Sequence, residues 1–237
     1  MATILSAVVW LGALSLSGAS RVLGRLGVRY RKGQAHLHSP DPDYDAKLTK
    51  LHDALAEAAA SEGKVAFVYQ DELTYYRRPE PSLTYAVVGG PGPYAQQGHG
   101  SNKRRRVVGA LDALTGRLFC WQRSSAGVDV LVRYFRELAE RYPQAEVVYV
   151  ALDNWPVHAN AALLAALPAT VRLLYLPTYA PWTNPIEKAW RKLKQEVLRQ
   201  HEFAEDWPGL QAAVQRWLDR EDRGNPELLR YVGLAPD

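Results

Sequence analysis

The spacing of apolar runs predicts an α/β fold, a mixed sheet flanked by helices. Runs at 65–69, 83–88, 107–111 and 118–121 follow one another closely, as antiparallel strands do. Runs at 147–152 and 171–176 are short, almost wholly apolar and separated by a helical stretch. That pattern predicts two parallel strands joined by a right-handed crossover. Helical periodicity between and after these runs supplies cover for both faces of the sheet.

Taken in order, residues 1–20 carry no charge and include Ile4, Leu5, Val8, Val9, Trp10, Leu11, Leu14 and Leu16. No Lys or Arg precedes this run, and serines and glycines dilute it, so neither a signal peptide nor a membrane span is expected. Leu5, Val8, Val9 and Gly12 fall at helical spacing, and Ser17-Gly18 supplies a turn and cap. A short second helix with Val22 and Leu26 inward would present Arg21 and Arg25 outward until Gly27. Residues 1–40 therefore read as a partial helix-turn-helix. Pro40-Asp41-Pro42 breaks the chain. Leu48, Leu51 and Leu55 then predict a linker helix within 41–64, ended near Gly63. The strand at 65–69 ends at Asp71-Glu72, and a Gly/Pro-rich loop at 89–100 follows the one at 83–88. Helices are expected over 128–141 and 156–167, around the strand at 147–152 that ends at Asp153. Asn184-Pro185 opens a long helix to about residue 199. A last helix over 207–218 lies in a helical tail, 201–237.

The chain has 237 residues, 47% hydrophobic and 23% charged, close to the globular average, which excludes wholesale disorder. The single cysteine, Cys120, forms no internal disulfide or Cys-rich zinc site and packs as a small hydrophobe. The net charge of +4 is carried by the first forty residues, which hold Arg21, Arg25, Arg29, Arg31 and Lys32 and no acid. Such an arm suits phosphates, or is simply a solvated face. No Gly-Lys-Ser/Thr phosphate loop is present, so ATP use is not expected.

Asp71 and Asp153 each follow an apolar strand run, and parallel neighbouring strands would set both at the same sheet end. Glu187 opens the long helix. Singly, each has a structural reading: a turn for Asp71, a helix cap for Asp153, and for Glu187 the capping-box position behind Asn184 as N-cap. If the three converge, their repulsion calls for a divalent cation, and hard oxygen donors favour Mg²⁺ or Mn²⁺. Two such ions suit phosphodiester chemistry.

The segment Leu176-Pro177-Thr178-Tyr179-Ala180-Pro181-Trp182-Thr183-Asn184-Pro185-Ile186-Glu187-Lys188-Ala189-Trp190, followed by Leu193-Lys194, resembles the LPxYSPxxNPIExxWxxLK block of IS630-family transposases, within the Tc1/mariner group of DDE transposases. Asp153-Asn154 with His158 is similar to the family's DNxxxH segment, and Tyr69-Gln70-Asp71-Glu72 to its first-strand motif. Gly27-Val28-Arg29-Tyr30 resembles the stretch after the family's recognition helix. The family places about a further helix-turn-helix before this point, so the sequence reads as an N-terminally truncated member. The resemblance implies an RNase H-like catalytic domain over 65–200, cleavage at element ends and strand transfer into target DNA. It further implies Asp71, Asp153 and Glu187 as catalytic metal ligands for Mg²⁺ or Mn²⁺, two ions, with homodimeric assembly on DNA and a cytoplasmic, nucleoid-associated location. A truncated remnant that only binds DNA, or another RNase H-like nuclease, stays open; the NPIE block argues against the second.

Around these acids, Lys188, Arg191, Lys192 and Lys194 form a basic helix face that would track a DNA backbone, with Ile186, Trp190, Leu193 and Val197 inward. The same pattern fits a solvated amphipathic helix. Lys103-Arg104-Arg105-Arg106 is expected as a flexible DNA-contacting loop, or else a basic hairpin tip. Asn154, His158 and Asn184 are supporting candidates. His158 would orient a phosphate or water, or line the following helix, and Trp190 is assigned to the core.

Overall fold

The computed structural model describes residues 15–28, 38–83 and 85–235. The chain divides into two units, Met1–Leu37 and His38–Asp237. In the first, helix α1 (Leu16–Arg25) is capped by Ser15, whose Oγ accepts from the Gly18 amide at 3.2 Å. Ser17-Gly18, expected as the turn, instead lies inside the helix. Arg21 and Arg25 are exposed as expected. Leu26 is not inward but 70% exposed. The helix expected on Leu5–Gly12 lies outside the described residues.

The second unit begins with α2 (Tyr44–Ala60), followed by β1 (Val65–Tyr76), β2 (Arg104–Asp112) and β3 (Leu118–Arg123). Next come α3 (Val128–Glu140), β4 (Val147–Leu152), α4 (Ala161–Ala166) and β5 (Val171–Tyr175). Helix α5 (Ile186–Leu193) runs into a π-turn (Lys194–Leu198) and is followed by α6 (Trp207–Glu221) and α7 (Pro226–Val232). The five strands order as β3-β2-β1-β4-β5. β1, β2 and β3 are antiparallel neighbours, whereas β4 is parallel to both β1 and β5. The expected mixed sheet is therefore found. No helix among the described residues is long and apolar enough to cross a membrane.

Strand alternation divides the core in two. Val65, Phe67, Tyr69, Leu73 and Tyr75 of β1 face one side, covered by Leu51 of α2, Ile186, Trp190 and Leu193 of α5, and Leu210, Val214 and Trp217 of α6. Ala66 and Val68 face the other, covered by Leu131, Tyr134, Phe135 and Leu138 of α3 and Leu163 of α4. Each fully buried Leu or Phe contributes about 1.5–3 kcal/mol, so both faces are tightly held. On α5 the inward stripe is Ile186, Ala189, Trp190 and Leu193. The π-turn adds a residue to the next turn, so that Leu198 is buried and Val197 only partly so.

Four expectations are corrected. The strand expected over 83–88 is not found among the described residues 83 and 85–88: these lie in the long β1–β2 connection, whose Pro79 and Pro81 cannot donate to a ladder. Strand β1 does not end at Asp71 but continues to Tyr76, because β2 goes on pairing with it after β4 has stopped. The helix expected over 156–167 is a turn followed by α4, which Asn160 starts by accepting from the Ala162 amide at 2.9 Å. Helix α5 starts one residue later than expected, with Pro185 at its N-cap, so Glu187 is not at the capping-box position. Helix α7 has no counterpart in the sequence reading. Its Asn225-Pro226 pair does cap a helix, through amides of Glu227 at 2.9 Å and Leu228 at 3.2 Å.

Candidate active site

The site lies where β1 outlasts β4. The parallel register pairs Tyr69 with Ala151, and two positions further along it reaches Asp71 and Asp153. Alternation sends Asp71 to the face covered by α5, whose first turn carries Glu187. Asp71, Asp153 and Glu187 line one cavity of about 390 Å³, together with Asn154, Trp155, Tyr179 and Asn184. A second cavity of about 830 Å³ shares Asp71, Asn184 and Glu187 and continues along Lys188, Arg191, Lys194 and Arg199. The acids thus stand at the junction of an acidic pocket and a basic groove. Among the described residues, no three His, Cys, Asp or Glu side chains are gathered tightly enough to hold a metal ion as they stand.

Each acid is set differently. Burial, reinforced by the charge of Glu187, pushes the Asp71 carboxyl up to about 8. Its Oδ2 accepts the indole N–H of Trp190 at 3.0 Å. Burial would also raise Asp153, but the His158 hydrogen bond and the Trp155 amide outweigh it and hold it below the usual carboxylate value. His158 is fully buried, with Nδ1 3.0 Å from Asp153 Oδ1 and Nε2 3.4 Å from Glu72 Oε1. Burial opposes its charge, yet these two carboxylates raise it to about 9. The charged imidazole therefore ties the two acids together from behind, and Gln70 Nε2 adds a hydrogen bond to Glu72 at 2.8 Å. Strand alternation puts Glu72 on the opposite face from Asp71, so the two consecutive acids have different surroundings.

The supporting residues hold the frame. Asn154 Nδ2 donates to the Leu176 carbonyl at 2.8 Å, joining the ends of β4 and β5. Asn184 is buried and donates to the Gln70 carbonyl at 3.4 Å, while its Oδ1 has no partner among the described residues. Asp41 accepts from the Thr178 amide and from Lys47 Nζ, both at 2.7 Å, fixing the 177–180 loop. Tyr179 in that loop has a left-handed backbone, φ 54°, and lines the acidic cavity.

The expected basic residues separate. Lys188 Nζ donates to the Val232 carbonyl at 2.8 Å, and Lys192 pairs with Glu196, so both are engaged within the protein. Arg191 and Lys194 line the groove. Of Lys103–Arg106, only Lys103 lies outside a strand: Arg104, Arg105 and Arg106 open strand β2 opposite Tyr76, Tyr75 and Thr74. Of the four, Arg106 reaches the acidic cavity's rim, 5.6 Å from the centre of the Trp155 ring. The sequence assigns Trp190 to the core and gives Glu72 no role beyond the first-strand motif, whereas the structure bonds each to a site residue. The acid beside Asp71 and the indole one turn after Glu187 are the signals that mark them.

The strand order, with acids at the end of β4 and the start of α5, defines a mixed-sheet α/β class, and comparison with known proteins makes this specific. Residues 66–207 match the DDE superfamily endonuclease family, and the chain belongs to it. The resemblance to IS630 and mariner proteins expected from the NPIE block is borne out as a likeness. Over 196 residues it is 25% identical to an insertion element IS630 uncharacterized 39 kDa protein of Shigella sonnei, covering 82% of this chain and 56% of that one. The chain thus spans little more than half the length of that relative. The Mos1 transposase paired-end complex with left transposon end superposes with a TM-score of 0.63 at 15% identity, over 93% of this chain and 69% of that one. The Mos1 mariner paired-end complex with Mn gives 0.63 at 14%, over 93% and 70%. The fold is the RNase H-like one.

Proposed function

We propose that this protein is a DDE transposase that cleaves DNA at the ends of an insertion sequence and joins them to target DNA. The observation that carries the reading is the convergence of Asp71, Asp153 and Glu187 on one cavity that opens into a basic groove. The donor set fits Mg²⁺ or Mn²⁺: three hard carboxylates, one of them forced toward its neutral form by burial and a like charge. Similar Mos1 complexes have been solved with Mn and with Mg. Asp71 and Asp153 would hold the metals, and Glu187, whose charge acts on Asp71, would complete the second site. When bound, the ions supply Lewis-acid activation of the attacking oxygen and stabilisation of the leaving one.

The chain's own residues do the rest. His158 fixes the orientation of Asp153. Arg191, Lys194 and Arg199 hold phosphates along the groove without reading bases. A water oxygen attacks the scissile phosphorus in line, and the 3′-oxygen departs and takes up a proton. That 3′-hydroxyl then attacks a target phosphodiester, forming one P–O bond and breaking another. Arg106 adds a cation to the same unit as the groove, and Arg21 and Arg25, exposed on α1, are proposed separately as phosphate contacts. A second copy of the chain is the proposed protein partner, and a cytoplasmic, nucleoid-associated location is proposed because the substrate is DNA.

The test is cleavage of a duplex carrying the element's inverted repeats. Asp71→Asn and Asp153→Asn are expected to lower Mg²⁺-dependent cleavage by roughly a thousandfold or more, with circular dichroism unchanged. Activity near the unaltered level in either variant would refute the assignment.

A further inference from the structure

Trp190 is 2% exposed and packs in the core, which would account for it as an ordinary apolar residue. Its indole N–H nevertheless ends 3.0 Å from Asp71 Oδ2. The sheet has an opening for it. Strand β2 places Gly109 directly opposite Asp71, and β3 places Cys120 beyond Gly109. A Cβ at Gly109 would stand 2.4 Å from Trp190 Cη2, 2.8 Å from Cζ2 and 3.0 Å from Cys120 Sγ. Glycine weakens a strand interior, and it is tolerated where another group must approach closely. Here that group is the indole ring lying over the row Asp71, Gly109, Cys120.

From this juxtaposition we infer that Trp190 is a positioning residue for Asp71, and that Gly109 is the space that lets it act. The inference rests on the reading of Asp71 as a metal ligand. A carboxylate at the end of a rotatable bond presents either oxygen in many directions. The hydrogen bond to Oδ2, beside the one from the Glu72 backbone, fixes the plane of the group. The donor's neutrality matters as well. An Arg or Lys in its place would satisfy the carboxylate's charge and compete with a cation, whereas an indole orients the group and leaves the charge uncompensated. Because α5 carries both Trp190 and Glu187 on successive turns, the same close approach at Gly109 sets how near Glu187 comes to the sheet.

The test is Mn²⁺ binding to the full chain without DNA, followed by titration calorimetry. Trp190→Phe keeps a ring in the core and removes the N–H. It is expected to weaken Mn²⁺ affinity by about 10- to 100-fold, the usual effect of removing a group that orients a ligand. Gly109→Ala, which leaves the indole intact but displaces it, is expected to weaken affinity in the same direction. A purely structural role would lower the melting temperature and leave affinity unchanged at temperatures well below it. On the unaltered chain with ¹⁵N-labelled tryptophan, one solvent-protected indole N–H resonance should move on Mg²⁺ addition, saturating in step with binding. This last measurement needs no variant to fold. Unchanged affinity in Trp190→Phe, or no indole resonance that moves, overturns the inference while Asp71 keeps its role. Absence of Mn²⁺ binding by the unaltered chain, or undiminished binding by Asp71→Asn, overturns the reading of Asp71 itself, and this inference with it.

Discussion

His158 shows how one buried side chain connects the two halves of the site. It has no exposed surface and lies between Asp153, which is half exposed, and Glu72, which is nearly covered. Removing the imidazole strands Glu72 beside the core without a counter-charge. Breaking such a buried pair costs about 3–5 kcal/mol, so His158→Ala is expected to lose stability of that order in urea denaturation. Glu72→Gln in the same background should recover part of it, since an amide carries no charge to compensate. The two changes are close enough to be non-additive, and the double-mutant cycle measures their coupling. How much of this was legible beforehand differs from residue to residue. Asp71 and Asp153 were readable because carboxylates after apolar strand runs are costly to place by accident, and the parallel crossover aligns them. The Glu72–His158 pair was not, since its partners are 86 positions apart and no local pattern relates them. Gly109 was visible as a glycine within a strand, but its purpose required knowing which helix crosses it.

At the scale of elements, α5 and its π-turn determine which cations are free. Lys188, which also lines the groove, is bonded to the Val232 carbonyl and Lys192 is paired with Glu196, whereas Arg191 and Lys194 line the groove with Arg199. The sequence showed a basic helix face without showing this partition, because an intramolecular partner such as the Val232 carbonyl leaves no trace in spacing. The partition has a measurable consequence. Arg191→Gln with Lys194→Gln is expected to weaken duplex binding evenly across sequences and to reduce the slope of log affinity against log salt by about 2. Lys192→Gln should leave that slope unchanged; equal effects from all three substitutions would contradict the division. The stretch 83–88 teaches a complementary lesson. Its Leu-Thr-Tyr-Ala-Val-Val composition has strand propensity, but β-propensity registers packing against neighbours, and here β2 already occupies that edge of β1.

For the whole molecule, the β1–β2 connection offers a place to test the proposed dimer. Leu83, Tyr85, Val87, Val88 and Tyr94 are almost fully exposed along it, an unusual concentration of apolar surface on one loop. A second copy of the chain is the occupant proposed for it. Replacing Leu83, Tyr85, Val87 and Val88 together by Ser should shift the mass measured by light scattering on DNA from dimer to monomer, with the melting temperature preserved. A dimer that persists through that change would place the contact elsewhere. The bond from Lys188 to the Val232 carbonyl carries a different implication. Lys188 adjoins Glu187, so the far end of the polypeptide is latched to the helix that delivers an acid to the pocket. Fusions or deletions that disturb the turn at Gly233 would tug on that latch, and their effect would be felt at the reaction centre although they begin far from it in the chain.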